Sequence, residues 1–312
     1  LPSRLEVRAG RLALKSPICV ASGCFAYGSE YDKMWRESGL GAVADLGAVF
    51  TKAVSLKPRG GNPAPRLAET AAGMINSIGL QNPGVEGFVG EHAPELESMR
   101  ASYFVNVVGE SEADFVGVVA ALDDSGYEGF LGYEINVSCP NVAGGMDFGQ
   151  DESALGDLVR AIRKATKRIV VVKLSPNVTD VAVFAKIAEA AGADALTVAN
   201  TFVGMTIDLN TRTSRIGTDT GGLSGPAIRP ITLALVHECR KAVGLPIFAS
   251  GGIVTTNDAL EYIIAGACAF QLGTGLYLDP AAPFNVAKGI EEYLSVRGIS
   301  SLMDLVGTYK PR

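Results

Sequence analysis

Ile169-Val170-Val171-Val172-Lys173-Leu174-Ser175-Pro176 is the stretch whose reading decides the fold. Its β-branched run suits a strand buried on both faces, as strands of parallel sheets are. The run ends on a lysine, and Ser175-Pro176 then breaks it. The same sequence of apolar run, polar residue and breaker recurs on either side. Just upstream, Gly132-Tyr133-Glu134-Ile135 runs into Asn136-Val137-Ser138-Cys139-Pro140-Asn141. Downstream, Ala195 to Ala199 ends at Asn200-Thr201, Pro246 to Ser250 at Gly251-Gly252, and Ala269 to Leu272 at Gly273-Thr274-Gly275. Further upstream lie Tyr103-Phe104-Val105-Asn106-Val107 and a second strand region. That region opens at Ala42-Val43-Ala44 and continues through Val49-Phe50-Thr51-Lys52. The first buried strand is Ile18 to Ala21, ending at Ser22-Gly23.

Helical patterns fill the intervals. They cover Glu30 to Ser38, Val85 to Met99 with Pro94 as an interruption, Glu112 to Ser125, and Ser153 to Thr166 with Ser153 as the cap. They continue with Asp180 to Ala191, Ala227 to Val243, Thr256 to Ala265 and Val286 to Ser295. Strands alternate with helices at intervals of about 25 to 40 residues, the length a βαβ unit needs. Eight such units close into a (β/α)8 barrel. A doubly wound open sheet is the rival, weakened by the lack of a G-x-G-x-x-G turn after the first strand. Leu5-Glu6-Val7 and Arg11 to Leu14 form a short hairpin ahead of the barrel. With no shift of composition along the chain, residues 1–312 read as one domain. Pro58 to Pro83 is too long for an ordinary connection and too rich in placed amides for a mere linker.

Composition narrows the function. Of 312 residues, 47% are hydrophobic and 19% charged, which permits a large core and argues against disorder. A net charge of −6 disfavours a nucleic-acid groove. No apolar run reaches membrane-spanning length, and Leu1 to Gly10 does not resemble a signal peptide. Five cysteines, at 19, 24, 139, 239 and 268, form neither a disulfide framework nor a metal pair, so a reducing, cytoplasmic setting is expected. His92 and His237, the two histidines, lie in helical segments and disfavour a histidine triad or metal site.

In a (β/α)8 barrel the loops after the strands share one mouth. Ser22, Lys52, Asn106, Asn136 with Cys139, Lys173, Asn200 with Thr201, Gly251-Gly252 and Gly273-Thr274 all fall there. Carboxamides both donate and accept, which suits a heterocycle. Cys139 is a nucleophile, a general base or a small buried hydrophobe. The glycine pairs after the last two strands are either tight turns or an anion cradle. The cradle suits the phosphate of a mononucleotide such as flavin mononucleotide (FMN). Lys173 is then a cation beneath the ring, or else an ion-paired lysine.

The motifs in this order resemble those of the dihydroorotate dehydrogenases. They are Ala21-Ser22-Gly23, Thr51-Lys52, Asn76-Ser77-Ile78-Gly79-Leu80-Gln81-Asn82, Asn136 to Asn141, Gly222-Leu223-Ser224-Gly225-Pro226, Ala249 to Ile253 and Gln271 to Thr274. The resemblance runs from about Leu5 to Arg297. Cys139 in place of a serine marks class 1. Ala199 to Met205 with Thr220 to Pro226 looks most like class 1B, whose members work with an iron-sulfur flavoprotein subunit that passes electrons to NAD.

The resemblance implies a role for each residue. Cys139 would be the base and Lys52 would lie between flavin and substrate. Asn76, Asn136, Asn141, Asn200 and Thr201 would hold the pyrimidine, and Ser77, Ile78, Gly79 and Leu80 would close over it. Ser22, Ala53, Asn106, Asn136, Lys173, Ala199 and Gly225 would contact FMN. Gly251, Gly252, Gly273 and Thr274 would take its phosphate. FAD and the iron-sulfur cluster would reside in the partner, within a heterotetramer built on a dimer of barrels. Cys24 stands where the family pattern has threonine. A class 1A enzyme using fumarate, a dihydropyrimidine dehydrogenase-like barrel, a flavin-free phosphosugar barrel and a non-catalytic barrel are the alternatives.

Overall fold

The computed structural model describes residues 4–127, 129–138 and 148–312. The chain lays down strands in the order β1 Val7–Ala9, β2 Leu12–Leu14, β3 Ile18–Val20, β4 Ala48–Phe50, β5 Leu67–Thr70, β6 Gly73–Asn76 and β7 Tyr103–Val107. It continues with β8 Phe130–Asn136, β9 Ile169–Lys173, β10 Ala195–Val198, β11 Phe202–Gly204, β12 Gly221–Ser224, β13 Ile247–Ser250 and β14 Ala269–Leu272. Eight of these, β3, β4, β7, β8, β9, β10, β13 and β14, pair in parallel and close into a barrel. Helices surround it, so the fold is a (β/α)8 barrel with an amino-terminal hairpin.

The two faces of each strand sort into two cores, as the period of two requires. Val20, Val49, Val105, Tyr133, Ile135, Val172 and Val198 point outward and pack with the helices. Cys19, Phe50, Phe104, Val171, Ala195, Phe248 and Ala269 point inward with Val7, Leu12 and Leu14 of the hairpin. Phe50 stacks on Phe104 at 4.9 Å and meets Phe248 edge-on at 5.0 Å. The hairpin stops the amino end of the barrel. Arg11 donates to the carbonyl of Lys167 and to Asp194, both ahead of strands, and Gly10 sits against Pro246. Continuing the inward parity toward the carboxyl ends gives Asn106, Glu134, Asn136, Lys173, Thr197 and Gln271. Every one of them is buried.

A second sheet lies over the mouth, with order β11-β12-β6-β5, all antiparallel. It takes two strands from the 58–83 stretch and two from the loop after β10. Asn76 sits between Leu67 of β5 and Gly222 of β12. Glycine is required at the second of these, since a Cβ on Gly222 would fall 2.2 Å from Thr201 Oγ1. This sheet is absent from the sequence expectation, which reads both segments as loop.

Three local expectations are corrected. Ala42-Val43-Ala44 does not begin a strand, because Val43–Asp45 is a 3-10 turn. Asp45 accepts from the Ala42 amide and Asp32 from the Val43 amide, both at 2.8 Å, and these bonds hold the segment in a turn. The helix expected from Ser153 is capped instead by Asp151, whose carboxylate accepts from the Ala154 amide at 2.7 Å. Pro94 does not interrupt its helix. The helix enters a π turn over Phe88–His92, and Pro94 then stands in the first turn of Ala93–Ser98, where a missing N–H costs little.

Candidate active site

Strand register builds the floor of the mouth. Asn106 on β7 pairs with Glu134 on β8, Asn136 on β8 with Lys173 on β9, and Lys173 with Thr197 on β10. All point inward, so a fully buried carboxylate meets an ammonium group on a residue that is 5% exposed. Lys173 Nζ lies 3.7 Å from Glu134 and donates to Ser22 Oγ at 3.0 Å. Glu134 further accepts from Asn106 Nδ2 at 2.6 Å, Thr197 Oγ1 at 2.8 Å and Gln271 Nε2 at 2.9 Å.

Above this floor opens a cavity of about 390 Å³. Ser22, Lys52, Ala53, Asn106, Asn136, Lys173, Asn200 and Thr201 line it, as do Asn76, Ser77, Ile78, Gly79 and Leu80 of the covering segment. The covering segment is pinned from several sides. Asn76 donates to the Gly222 carbonyl at 3.0 Å, and Ser77 Oγ bonds Asn62 and Thr218. Leu80 adopts a left-handed φ of 55°, held by Asn82, whose amide donates to the Leu80 carbonyl at 2.8 Å. Such backbone strain is retained where surrounding contacts over-determine it.

Lys52 is half-buried, and burial first, then the neighbouring Arg66, holds its pKa below the usual lysine value. Cys24 also lines the cavity. Burial raises its thiol, opposed by a hydrogen bond with Tyr277 and by the charge of Lys173. A thiol so placed is a packing group rather than a nucleophile.

The glycine turns gather at one side. Gly252 has φ +67°, and a Cβ there would come within 2.6 Å of the Gly225 carbonyl and 2.8 Å of Arg229 Cβ. A Cβ on Gly251 would strike Thr232 at 2.7 Å. Thr274 Oγ1 donates to Ser224 Oγ at 2.8 Å, and Ser224 in turn lines the cavity. The turn after β13 thus leaves no room for a side chain, and the turn after β14 reaches the edge of the cavity through Thr274 and Ser224; together their backbone could cradle a phosphate group. Ser22, Asn106 and Lys173, joined by hydrogen bonds to Ser22 Oγ, offer a polar floor on which a planar ring could rest.

The site residues expected from sequence come together with few exceptions. Ala199 is buried at the end of β10, and Gly225, Gly251, Gly252, Gly273 and Thr274 form the flank just described. Cys139 and Asn141 lie outside the described residues, as does Gly144-Gly145, which in the sequence reads as a hinge for their loop. Their neighbour Ser138 lines the cavity and donates to the Lys173 carbonyl at 3.1 Å. Sequence reasoning missed Glu134, Thr197, Gln271 and Asn177, the last of which donates to the Thr201 carbonyl at 3.1 Å. A signal for Glu134 did exist. It is an acid inside an apolar strand, two residues before Asn136, hence on the same face.

A barrel with glycine turns after its last two strands, amides around its mouth and a buried lysine in its floor has the parts to hold a phosphorylated cofactor and a small heterocycle. Comparison with known proteins makes the class definite. A family model described as dihydroorotate dehydrogenase matches residues 4–294. A putative dihydroorotate dehydrogenase A (fumarate) of Solibacter usitatus is 46% identical over 300 residues, covering 96% of each chain. A dihydroorotate dehydrogenase B (NAD(+)) catalytic subunit of Geobacter sp. strain M21 is 44% identical over 305 residues, covering 97% of each. A putative dihydroorotate dehydrogenase A (fumarate) of Aquifex aeolicus is 44% identical over 306 residues, again covering 97% of each. The chain belongs to the dihydroorotate dehydrogenase family, and is thus an oxidoreductase of a family that is in general flavin-dependent.

Proposed function

We propose that this chain oxidises (S)-dihydroorotate to orotate, the redox step of pyrimidine synthesis, with Cys139 as general base and FMN as the cofactor. The observation that carries the reading is one cavity that gathers Lys52, Asn76, Asn106, Asn136, Lys173, Asn200 and Thr201 from separate strand ends and from the covering sheet. FMN, when bound, supplies the hydride acceptor. Ser22, Ala53, Asn106, Asn136, Lys173, Ala199 and Gly225 hold its ring side, and Gly251, Gly252, Gly273 and Thr274 its phosphate. Asn76, Asn136, Asn141, Asn200 and Thr201 read the pyrimidine amides and carboxylate, with Ser77, Ile78, Gly79 and Leu80 closing over them. Lys52 adds positive charge beside an anionic substrate. Cys139 takes the proton from one saturated ring carbon while the adjacent carbon loses hydride, leaving the carbon–carbon double bond of orotate.

Anaerobic mixing of the flavin-loaded protein with dihydroorotate tests this directly. Rapid bleaching of the flavin is expected, while dihydrouracil, which lacks the carboxylate, bleaches it slowly. Cys139→Ala is expected to retain flavin and to slow bleaching by about 10²–10⁴-fold, the usual loss on removing a positioned base. An undiminished rate in that variant removes Cys139 from the mechanism.

For the electron acceptor we favour the class 1B arrangement. In it an iron-sulfur flavoprotein partner carrying FAD passes electrons to NAD, within a heterotetramer built on a dimer of barrels. Relatives named as NAD(+)-type catalytic subunits support it. So does the exposed apolar series Val203, Met205, Ile207 and Leu209 along and beyond β11, a surface suited to association. Relatives named for fumarate give a second reading. Reoxidation of the flavin by fumarate without a second subunit would decide for it. Among the described residues no helix is long and apolar enough to cross a membrane. A cytoplasmic location rests on the cysteine pattern.

A further inference from the structure

We propose that Glu134 is a positioning residue that fixes which way the asparagines of the mouth face, so that the site offers hydrogen-bond donors to its ligand. The proposal rests on the functional reading above and deepens it.

The argument begins with an asymmetry. An ionised carboxylate only accepts hydrogen bonds, whereas a carboxamide can present either end. Glu134 is fully buried, and each group that reaches it among the described residues is a donor: Asn106, Thr197, Gln271 and the Lys173 ammonium. Gln271 turns its nitrogen to the carboxylate even though its Oε1 is then buried without a partner among the described residues.

Asn106 must likewise give its nitrogen to Glu134, at 2.6 Å. That leaves Asn106 Oδ1 to face Asn136, which must then donate, and Asn136 Nδ2 stands 3.3 Å away. Asn136 Oδ1 is thereby left to accept from Asn200 Nδ2 at 3.2 Å. The remaining oxygen, Asn200 Oδ1, accepts from the Thr201 amide at 2.8 Å. The buried charge at one end and the donor-only Thr201 amide at the other thus agree on one sense for three amides in series across β7, β8 and the loop after β10. Each of Asn136 and Asn200 spends one of its two N–H groups within the series and keeps the other. Both residues line the cavity. The matching ligand is rich in acceptors, as a ring bearing carbonyl oxygens and a carboxylate is.

The test uses orotate binding to the flavin-loaded full chain, read from the shift of the flavin spectrum. Wild type is measured first; if it does not bind orotate, the functional reading fails and takes this proposal with it. Glu134→Gln keeps the volume but lets Asn106 face either way. Its orotate dissociation constant is expected to rise about tenfold, as when buried polar groups are left mispaired. The exchange Glu134→Gln with Asn106→Asp moves the acceptor-only group one step along. The amide introduced at position 134 would donate to the new carboxylate at position 106, which still accepts from Asn136, so the sense of Asn136 and Asn200 is restored. That variant is expected to recover most of the lost affinity, an outcome that the loss of a merely structural contact would not produce. A loss below about threefold in Glu134→Gln, or an exchange variant no tighter than the single one, overturns the proposal. Flavin content and thermal melting establish that each variant is folded. If neither accumulates as folded protein, Glu134 serves the fold alone and the proposal fails.

Discussion

The inward faces of the same strands carry two chemistries. Toward the amino ends, Phe50, Phe104 and Phe248 form an aromatic layer that seals against the hairpin. One step further along, Asn106, Glu134, Lys173, Thr197 and Gln271 form a polar layer, equally buried. Phe104 and Asn106 are two residues apart on one strand and share its inward face, so height within the barrel is what separates their surroundings. The lower layer contributes stability by removing apolar surface from water. The upper layer cannot be justified that way, because burying a charge costs more than its pairing reliably returns. On the proposed function, its worth lies in how it presents hydrogen-bonding groups to a ligand. The difference teaches that depth along a strand, rather than burial, separates fold from function here.

Substitutions in the two layers should therefore fail differently. Phe104→Ala removes the centre of the aromatic layer and is expected to cost about 3–5 kcal/mol of stability. Its flavin potential should stay at the parent value, and chemical denaturation beside a redox titration checks both halves. A shifted potential would mean that the layers are not independent. Lys173→Met is the converse case. Removing the cation disfavours added negative charge on the flavin, so the potential should fall by roughly 30–60 mV, about 1.4–3 kcal/mol for two electrons. An unchanged potential at full flavin occupancy would strip Lys173 of its electrostatic role.

The smallest effect concerns Lys52, at the rim between water and the buried layers. Burial, and after it the charge of Arg66, disfavours its ammonium form, so its folded pKa lies below the ordinary lysine value and its charge is lost earlier as pH rises. Because the folded pKa is lowered, the unfolded chain binds the extra proton. Below the folded pKa this group therefore slightly opposes folding, and the opposition fades as pH rises through it. Orotate binding should accordingly weaken on an alkaline limb that starts before ordinary lysines titrate. The limb should be absent from Lys52→Met, and its persistence in that variant would assign it to another group.

Much of this was legible in the sequence, for a physical reason. Parallel barrel strands are covered on both faces, so Ile169 to Val172 stands out as a continuous apolar run. A lysine or asparagine ending such a run is conspicuous. Glu134 was passed over because one acid within an apolar strand reads as noise until the parity of Asn136 gives it a direction. The covering sheet was illegible for another reason. Gly221-Gly222-Leu223-Ser224 has little strand propensity of its own, and its partner Asn76 lies 146 residues away. Non-local pairing of short, glycine-rich segments leaves almost no trace in a window of sequence. The 3-10 turn at Val43–Asp45 was likewise decided by the carboxylates of Asp32 and Asp45, one of them eleven residues upstream. The thiol and second asparagine at 139 and 141 remain readings of sequence alone.

The aromatic layer and the hairpin packed beneath it close the amino end, so the cavity is a blind well under the covering sheet. A well with one entrance fills from the bottom. A ligand resting on Lys173 lies deeper than one touched by Asn76 of the covering sheet. A cofactor held over Lys173 would on that arrangement be expected to load before a ligand touched by Asn76. Two strands of three residues each, on the far side of the molecule from the cavity, complete that closure.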